Sequence, residues 1–315
     1  MWQRFWARYV EPILIALLTN PLAVKIGLLC YVAAKNERDA LAMTVVLHKL
    51  GLGVISDILG EEVTTEQAAK KAMIRYSRHI RHLSVLRTSY PDIRLAVSIK
   101  LSQLALKFDK MFCRKLTRMI FWEAVVRGVR LEIDAEGPET TDDTMDVIKS
   151  LVRFGNNFRV AIPANQKKSI QCIHICLSRG VGVRIVRGAY TGDIGGADAI
   201  DANFLRLVAI AKEYAPWVDC AIGTHHTSRI KRAKGILPDC MVQMLWGIRM
   251  FLQEKAALWT YMPWVKDTDA GPFYIRRIRE GVEPNVVVLF SLNFFESLLW
   301  RVLRAPKTFC SANEE

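Results

Sequence analysis

The run VGVRIVRGAY, residues 181–190, has the composition of a buried strand but carries arginine at positions 184 and 187. A guanidinium group is almost never buried without a partner. We therefore expect this run to contribute to a binding site as well as to the core. Seven further short apolar runs lie along the chain, at residues 53–59, 94–102, 129–137, 158–165, 219–226, 240–247 and 258–265.

Helix signals separate these eight runs. The segments TTEQAAKKAMIRY (64–76) and TTDDTMDVIKSLVRF (140–154) each open with threonines and acidic residues, as helix N-termini do. Alternating strands and helices predict parallel strands with crossover helices, and eight such strands favour an α/β fold closed into a (β/α)8 barrel. An open doubly wound sheet is the competing fold, but the segment ISDILGEEVT (55–64) is not the glycine-rich loop that this fold uses for dinucleotides.

The composition limits the class of protein and of partner. Hydrophobic residues make up 51% of the 315 residues, so the chain can form a large core. The net charge of +13 suits an anionic membrane surface or ligand. We expect no nucleic-acid function, because no recognition motif accompanies the charge. Seven cysteines without framework spacing predict reduced thiols in a cytosolic protein. Cys172 and Cys176 are expected to pack on one helix face, and no metal site is predicted.

The N-terminal segment is apolar, PILIALLTNPLAVKIGLLCYVAA at residues 12–34. Asn20-Pro21 divides it and Lys25 charges its second half, so two short helices are expected rather than a membrane span. The preceding MWQRFWARYV (1–10) suits a membrane interface or a helix that caps the domain equally well. We predict a helical N-terminal arm at residues 1–35, a catalytic domain at 36–305 ending in an amphipathic helix, and a flexible tail at 306–315.

Charged and aromatic residues follow the apolar parts of several runs. In a (β/α)8 barrel these positions lie at the carboxyl ends of the strands, where active sites form. Each residue alone could be a solvated strand end or a cap, but together they would face one another across the barrel mouth. Cations there suit a carboxylate, and Gly188 with Ala189 would let the backbone approach a phosphate or a flat ring. The set comprises Lys100, Asp134, Arg184, Arg187, Thr224, His225 and Tyr261, with Arg276, Arg277 and Glu280 from a following basic segment.

Six ordered motifs resemble those of the proline dehydrogenase family: SIKLSQL (98–104), LEIDAEG (131–137), VRIVRGAY (183–190), AIGTHH (221–226), VQMLWGIR (242–249) and YIRRIRE (274–280). The resemblance covers roughly residues 36–290. It implies a distorted (β/α)8 barrel that binds FAD and oxidises L-proline to Δ1-pyrroline-5-carboxylate by hydride transfer to flavin N5. It also implies a quinone as electron acceptor and a cytoplasmic protein bound peripherally to the inner face of the membrane.

The resemblance also implies roles for individual residues. Asp134 and Arg184 would be catalytic, and the proton of the substrate amine would leave to Asp134 or to water. Cofactor contacts would come from Ala135, Pro163, Arg184, Arg187, Gly188, Ala189, Thr224 and His225. The substrate would meet Lys100, Leu245, Tyr261, Phe273, Arg276, Arg277 and Glu280.

Three positions depart from the family pattern. Arg187 stands where the family usually has lysine, Pro163 where it has glutamine, and Phe273 where it has tyrosine. Each change alters a polar contact: arginine differs in geometry from lysine, proline offers only its carbonyl, and phenylalanine has no hydroxyl. Two alternatives to proline oxidation therefore stay open, namely oxidation of another cyclic or secondary amine acid, and a flavin-free, membrane-associated scaffold protein.

Overall fold

The computed structural model describes residues 31–60, 62–256, 258–265 and 295–304. Within these ranges eight parallel strands close into a barrel in the order β1 to β8, which confirms the predicted (β/α)8 fold. The strands are β1 Gly53–Ile58, β2 Leu95–Ile99, β3 Arg130–Ile133, β4 Phe158–Pro163, β5 Gly182–Val186, β6 Cys220–Gly223, β7 Met241–Leu245 and β8 Trp259–Trp264.

Helices follow the strands and form the outer layer of the barrel. They are α1 Glu37–Lys49, α2 Glu66–Ser89, α3 Lys110–Val126, α4 Thr141–Leu151, α5 Ser169–Leu177, α6 Ala197–Tyr214, α7 Thr227–Ile236 and α8 Met250–Ala256, with a further helix, α9, at residues 295–304. Short 3-10 turns lie at Leu101–Leu104, Pro138–Thr140 and Val152–Phe154.

Local sequence signals account for two of the helix starts. Thr65 accepts a hydrogen bond from the backbone N–H of Ala68 at the start of α2, and Asp109 accepts one from Phe112 at the start of α3. Such side-chain caps satisfy N–H groups that have no partner inside the helix. The predicted threonine start of α2 is therefore confirmed.

The main core lies between the outer faces of the strands and the helices. On β3, Leu131 and Ile133 belong to this core. Cys172 and Cys176 of α5 also pack in it as buried thiols, and burial raises their pKa values to about 11 and about 12. Both thiols are therefore inert at neutral pH, which agrees with the packing role that their spacing predicts.

The inside of the barrel is more polar than the apolar runs suggest. Ile55, Ala96 and Trp259 form a small separate cluster there. Gly53 is needed beside it, because a Cβ at this position would lie 2.6 Å from the Trp259 ring. Charged side chains lie at other inward positions, and β3 is less apolar than the run that predicted it. Its alternate residues Arg130 and Glu132 point away from the helix-facing core and join ion pairs instead.

The first described residues attach the N-terminal segment to the barrel. Ala34 forms a parallel bridge with Trp264 of β8, and the N–H of Ala33 donates to the carbonyl of Pro263. Residues 1–30 and 305–315 lie outside the described residues, so the arm and tail boundaries stay predictions. Among the helices that the structure describes, none combines the length and the apolar character that crossing a bilayer requires.

Candidate active site

Four of the predicted residues meet at the carboxyl end of the barrel, around the carboxylate of Asp134. Arg184 Nη2 donates to Asp134 Oδ1 at 2.5 Å, and Tyr261 Oη donates to Asp134 Oδ2 at 2.6 Å. Lys100 Nζ lies 3.3 Å from the same Oδ2. The side chains come from β3, β5, β8 and the end of β2, so the convergence predicted from the strand ends is confirmed for these residues.

Asp57 belongs to the same cluster and was missed by sequence analysis. Lys100 Nζ donates to Asp57 Oδ1 at 2.6 Å, a shorter contact than the one to Asp134. Asp57 lies in β1 and is buried. A single acidic residue inside the apolar run GVISDIL was the available signal, because a buried carboxylate needs a cationic partner.

A second layer of ion pairs lies beneath this cluster. Arg159 of β4 donates from Nη1 to Glu132 and from Nη2 to Asp219, which also accepts from Arg130. Glu132 Oε2 lies 3.7 Å from Arg184 Nη1, so the two layers are connected. The alternation of charged and apolar residues in VRLEID (129–134) was the sequence signal for the β3 members.

The two layers together are balanced in formal charge. The negative charge of a substrate carboxylate would therefore need further cations. The predicted cations Arg276 and Arg277, with Phe273 and Glu280, lie outside the described residues. The balance is between four cations, Lys100, Arg130, Arg159 and Arg184, and four carboxylates, Asp57, Glu132, Asp134 and Asp219.

Electrostatics fix the protonation states around Asp134. Burial alone would raise the pKa of Asp134, but Lys100 and Arg184 and the hydrogen bond from Tyr261 hold it at about 2. Burial and the nearby Asp134 charge raise the pKa of Tyr261 well above its ordinary value. At neutral pH Asp134 is therefore ionised and Tyr261 is protonated, as their hydrogen bond requires.

The segment after β5 contacts Asn165 closely. Gly188 has a φ of 115°, and a Cβ there would lie 2.1 Å from Asn165 Oδ1. The N–H of Asn165 donates to the carbonyl of Arg187, and Asn165 Nδ2 donates to the carbonyl of Tyr190. The sequence predicts that a cofactor can approach the backbone at Gly188 and Ala189. In the structure the side chain of Asn165 occupies the space beside Gly188, while Ala189 is exposed.

Pro163 lies at the end of β4, and its only polar group, the backbone carbonyl, is already hydrogen-bonded by neighbouring residues. Its carbonyl accepts hydrogen bonds from the Ser169 hydroxyl and from the N–H of Gln166. Pro163 itself is buried. The position therefore supplies neither a side-chain donor nor an unused carbonyl to a ligand. Ala135 is partly exposed after β3.

The segment after β6 is held against β7. The N–H of Leu245 donates to Nε2 of His225 at 3.1 Å, and Arg249 Nη1 donates to the His225 carbonyl at 3.0 Å. Thr224 is buried, and its hydroxyl accepts from the N–H of His226. Because Nε2 of His225 is an acceptor here, Nδ1 carries the ring proton.

The donors at the mouth fit a group with acceptor atoms, such as a flavin. Arg184 Nε and Nη1 are buried and have no hydrogen-bond partner among the described residues. A buried donor without a partner costs free energy, so a ligand acceptor at this place would be stabilising. The Arg184 guanidinium carbon also lies 5.0 Å from the centroid of the Tyr261 ring, which limits how far the arginine can move.

A comparison with family models finds a match to part of this chain. Residues 40–193 match the family model described as proline dehydrogenase. The matched segment contains Asp57, Lys100, Asp134 and Arg184, so the proline dehydrogenase resemblance noted in the motifs is confirmed. The search of curated proteins found no match.

Solved structures of proline utilization A share the fold. The protein from Bdellovibrio bacteriovorus inactivated by N-propargylglycine matches with a TM-score of 0.75 and 17% identity, over 84% of this chain and 34% of that chain. A mutant of the Bradyrhizobium japonicum protein matches with a TM-score of 0.69 and 18% identity, over 83% and 31% of the two chains. This chain thus spans about a third of the length of those proteins, and the likeness at this identity concerns the fold.

Proposed function

We propose that the domain is an FAD-dependent proline dehydrogenase, which oxidises L-proline to Δ1-pyrroline-5-carboxylate. The observation that carries the proposal is the cluster of Asp134, Arg184, Tyr261 and Lys100 at the barrel mouth, three of whose members lie inside the family segment. Barrel enzymes carry their catalytic groups at this end.

FAD, when bound, would supply the acceptor for the hydride that leaves the substrate carbon. The residues that would hold it are Ala135, Arg184, Arg187, Thr224 and His225, with Gly188 and Ala189 shaping the adjoining loop. Pro163 would contribute apolar contact only, because its carbonyl is already engaged.

Arg184 would place a fixed positive charge beside the reacting atoms. Asp134 holds its Nη2 atom, and Glu132 faces its Nη1 atom from the deeper layer. A cation that is already oriented needs little reorganisation when negative charge develops on the acceptor group. Asp134 would therefore serve to orient Arg184 and Tyr261.

Lys100 would be only one part of a site for the substrate carboxylate. It already contacts Asp57 and Asp134, so its charge is shared. We propose that Arg276 and Arg277 supply the remaining positive charge. A bidentate arginine–carboxylate pair would orient the substrate ring toward the reacting face.

Asp134 is a poor acceptor for the proton of the substrate amine. With a pKa held at about 2 and both oxygens hydrogen-bonded, it does not retain a proton at neutral pH. We propose that this proton leaves to water before the hydride is transferred.

The electron acceptor would be a quinone in a membrane that the protein binds peripherally at the cytoplasmic face. Flavin-loaded protein, reduced by L-proline and then mixed with a soluble quinone, should return to the oxidised spectrum. If oxygen alone reoxidises the reduced flavin as fast as the quinone does, the proposal that a quinone is the electron acceptor is wrong.

Pro163 and Phe273 favour one second candidate, oxidation of another cyclic or secondary amine acid. The substrate test is anaerobic bleaching of the bound flavin by a panel of L-proline and its ring analogues. Fastest bleaching by L-proline supports the first proposal. Bleaching by an analogue but not by L-proline would establish the second.

A further inference from the structure

The outer side of α3 carries a stripe of apolar side chains where a barrel helix ordinarily carries polar ones. Spacings of eight, three and four residues place four large side chains on this one side: Met111, Met119, Trp122 and Val126. Their exposure ranges from 45% for Met119 and Trp122 to 77% for Val126. The buried residues of α3 lie on its opposite side, so the helix presents apolar groups both to the core and to solvent.

Phe154, which ends the 3-10 turn after α4, lies beside this stripe and is itself exposed. Its ring meets the Trp122 ring edge-on, with centroids 6.3 Å apart. The guanidinium carbon of Arg118 lies 5.1 Å from the centroid of the same Phe154 ring. These contacts hold an aromatic group and a cation side by side at the surface.

The charged residues of α3 are mainly basic. Four cations stand against the single acid Glu123, namely Lys110, Arg114, Lys115 and Arg118. Lys110 and Arg114 pair with acidic residues of α4. Lys115 and Arg118 are exposed beside the apolar stripe, and neither forms an ion pair within the part of the chain that the structure describes.

The one acid of α3 is bound by two further arginines. Glu123 Oε1 accepts from Arg81 Nε at 3.0 Å and from Arg127 Nε at 3.2 Å. The two arginines outweigh the carboxylate, so the neighbourhood keeps a positive charge. Val85, one turn after Arg81 on α2, adds another exposed apolar side chain.

We propose that the exposed side of α3 binds the surface of a membrane that contains anionic phospholipids. Lipid phosphates would pair with the cations, while the apolar side chains would enter the boundary between headgroups and acyl chains. A tryptophan suits that boundary, because its ring is apolar and its N–H is polar. The surface, called the α3 face below, comprises Met111, Lys115, Arg118, Met119, Trp122 and Val126.

The inference rests on the proposed function in taking a membrane as a partner, and it names the surface that would make the contact. A second copy of the chain fits the α3 face less well. Two such faces brought together would oppose Lys115 and Arg118 to their own copies, and the net charge of +13 repels another chain. An anionic bilayer attracts the same charge.

The test is the binding of the whole 315-residue chain to lipid vesicles, measured by cosedimentation. Vesicles of phosphatidylcholine mixed with phosphatidylglycerol are compared with vesicles of phosphatidylcholine alone. The unaltered protein should bind the mixed vesicles more tightly. Trp122→Glu should weaken that binding about 10-fold, because it replaces an inserted ring by a carboxylate that the lipid charge repels. Unchanged binding by this variant would overturn the proposal.

Trp217 supplies a matched control. It is 79% exposed and follows α6, which precedes β6, whereas α3 precedes β3. Trp217→Glu makes the same change of side chain and charge on another part of the barrel, and it should leave vesicle binding unchanged. An equal loss of binding in the two tryptophan variants would show an effect of net charge alone and would overturn the assignment to the α3 face.

The cations are tested without altering the apolar stripe. The double variant Lys115→Gln and Arg118→Gln should bind the mixed vesicles about 10-fold more weakly and phosphatidylcholine vesicles as before. The matched control is Lys231→Gln with Arg232→Gln, which removes two exposed charges from α7 and should have no effect. Equal binding by both double variants would contradict a specific contact between the α3 face and lipid phosphates.

Light scattering without vesicles distinguishes the membrane from a second copy. The same molar mass for the unaltered protein and Trp122→Glu supports the membrane, whereas a dimer that the substitution dissociates would assign the α3 face to self-association and overturn the proposal. The vesicle series contains no L-proline and no flavin reduction. Failure of L-proline to reduce the flavin would therefore leave the α3 face standing, and failure of the α3 variants to lose vesicle binding would leave proline oxidation standing.

Discussion

Arg184 and Asp134 form a 2.5 Å ion pair across neighbouring parts of the barrel mouth, so the cation predicted to meet a cofactor is anchored by the protein itself. The pair explains how an arginine can lie inside the run VGVRIVRGAY. Its burial is compensated by Asp134 and by the more distant Glu132. The Arg184 guanidinium is consequently held in one place, and its Nε and Nη1 atoms make no hydrogen bond with the described residues, although Nη1 faces Glu132 at 3.7 Å.

Replacing Asp134 by asparagine should slow reduction of the bound flavin by L-proline about 100-fold, because Arg184 and Tyr261 lose their common charged acceptor and shift from their positions. Stopped-flow absorbance of flavin-loaded protein measures this rate. The matched control is Asp142→Asn, which changes an exposed partner of Lys168 and should have no effect. A wild-type rate in the Asp134 variant would exclude the orienting role.

Acid should weaken the fold through the same carboxylate. The pKa of Asp134 is about 2 in the folded protein against 3.8 ordinarily, so the folded state favours the ionised form. The resulting stability is present above about pH 4 and is lost as the pH falls toward about 2, with a total of about 2 kcal/mol. Urea unfolding of the wild type and of Asp134→Asn should show a difference in free energy of unfolding that shrinks over this range; a constant difference would contradict the assigned pKa.

Replacing Arg159 alone should lower the free energy of unfolding more than replacing Arg159 and its buried partner Glu132 together. Arg159→Met leaves Glu132 without its closest cation and should cost about 3 to 5 kcal/mol in the free energy of unfolding. Adding Glu132→Leu removes the uncompensated charge and should recover part of that loss. Additive costs in the double variant, measured by urea unfolding, would show that the two side chains do not interact.

Gly188→Ala should destabilise the loop after β5. The new Cβ would meet the side chain of Asn165, and φ of 115° is unfavourable for alanine, so a cost of about 1 to 3 kcal/mol is expected. Gly195 lies a few residues later, with nothing within 4 Å of its Cβ position, and Gly195→Ala should leave Tm unchanged. Equal Tm values for the two variants would contradict the described packing of Asn165.

The fold and part of the site could be predicted from the sequence because both depend on local patterns. Each of the eight apolar runs contains one strand, since run composition and spacing report directly on buried strands. Lys100, Asp134, Arg184 and Tyr261 could be placed together because strand ends of a barrel share one rim. Their ion pairs confirm that placement.

The deeper ion pairs and the Asn165 contact could not be predicted in the same way. Arg159 and Asp219 are 60 residues apart and meet only because the barrel closes, so neither has a local signal for its partner. Asn165 and Gly188 likewise pair through the fold, and glycine after a strand is compatible with many contacts. Asp57 and the alternation of charged and apolar residues in β3 can be seen in the sequence. A charged residue considered alone, however, does not show which ion pairs it forms.

The most direct test of the proposed function is the visible absorbance of the purified protein, reconstituted with FAD, before and after anaerobic addition of L-proline. We expect the spectrum of bound oxidised flavin at the start and its bleaching by L-proline, with little bleaching by D-proline as a matched control. A protein that binds flavin whose spectrum L-proline leaves unchanged would contradict the proposed function, and a protein that binds no flavin would contradict its cofactor as well.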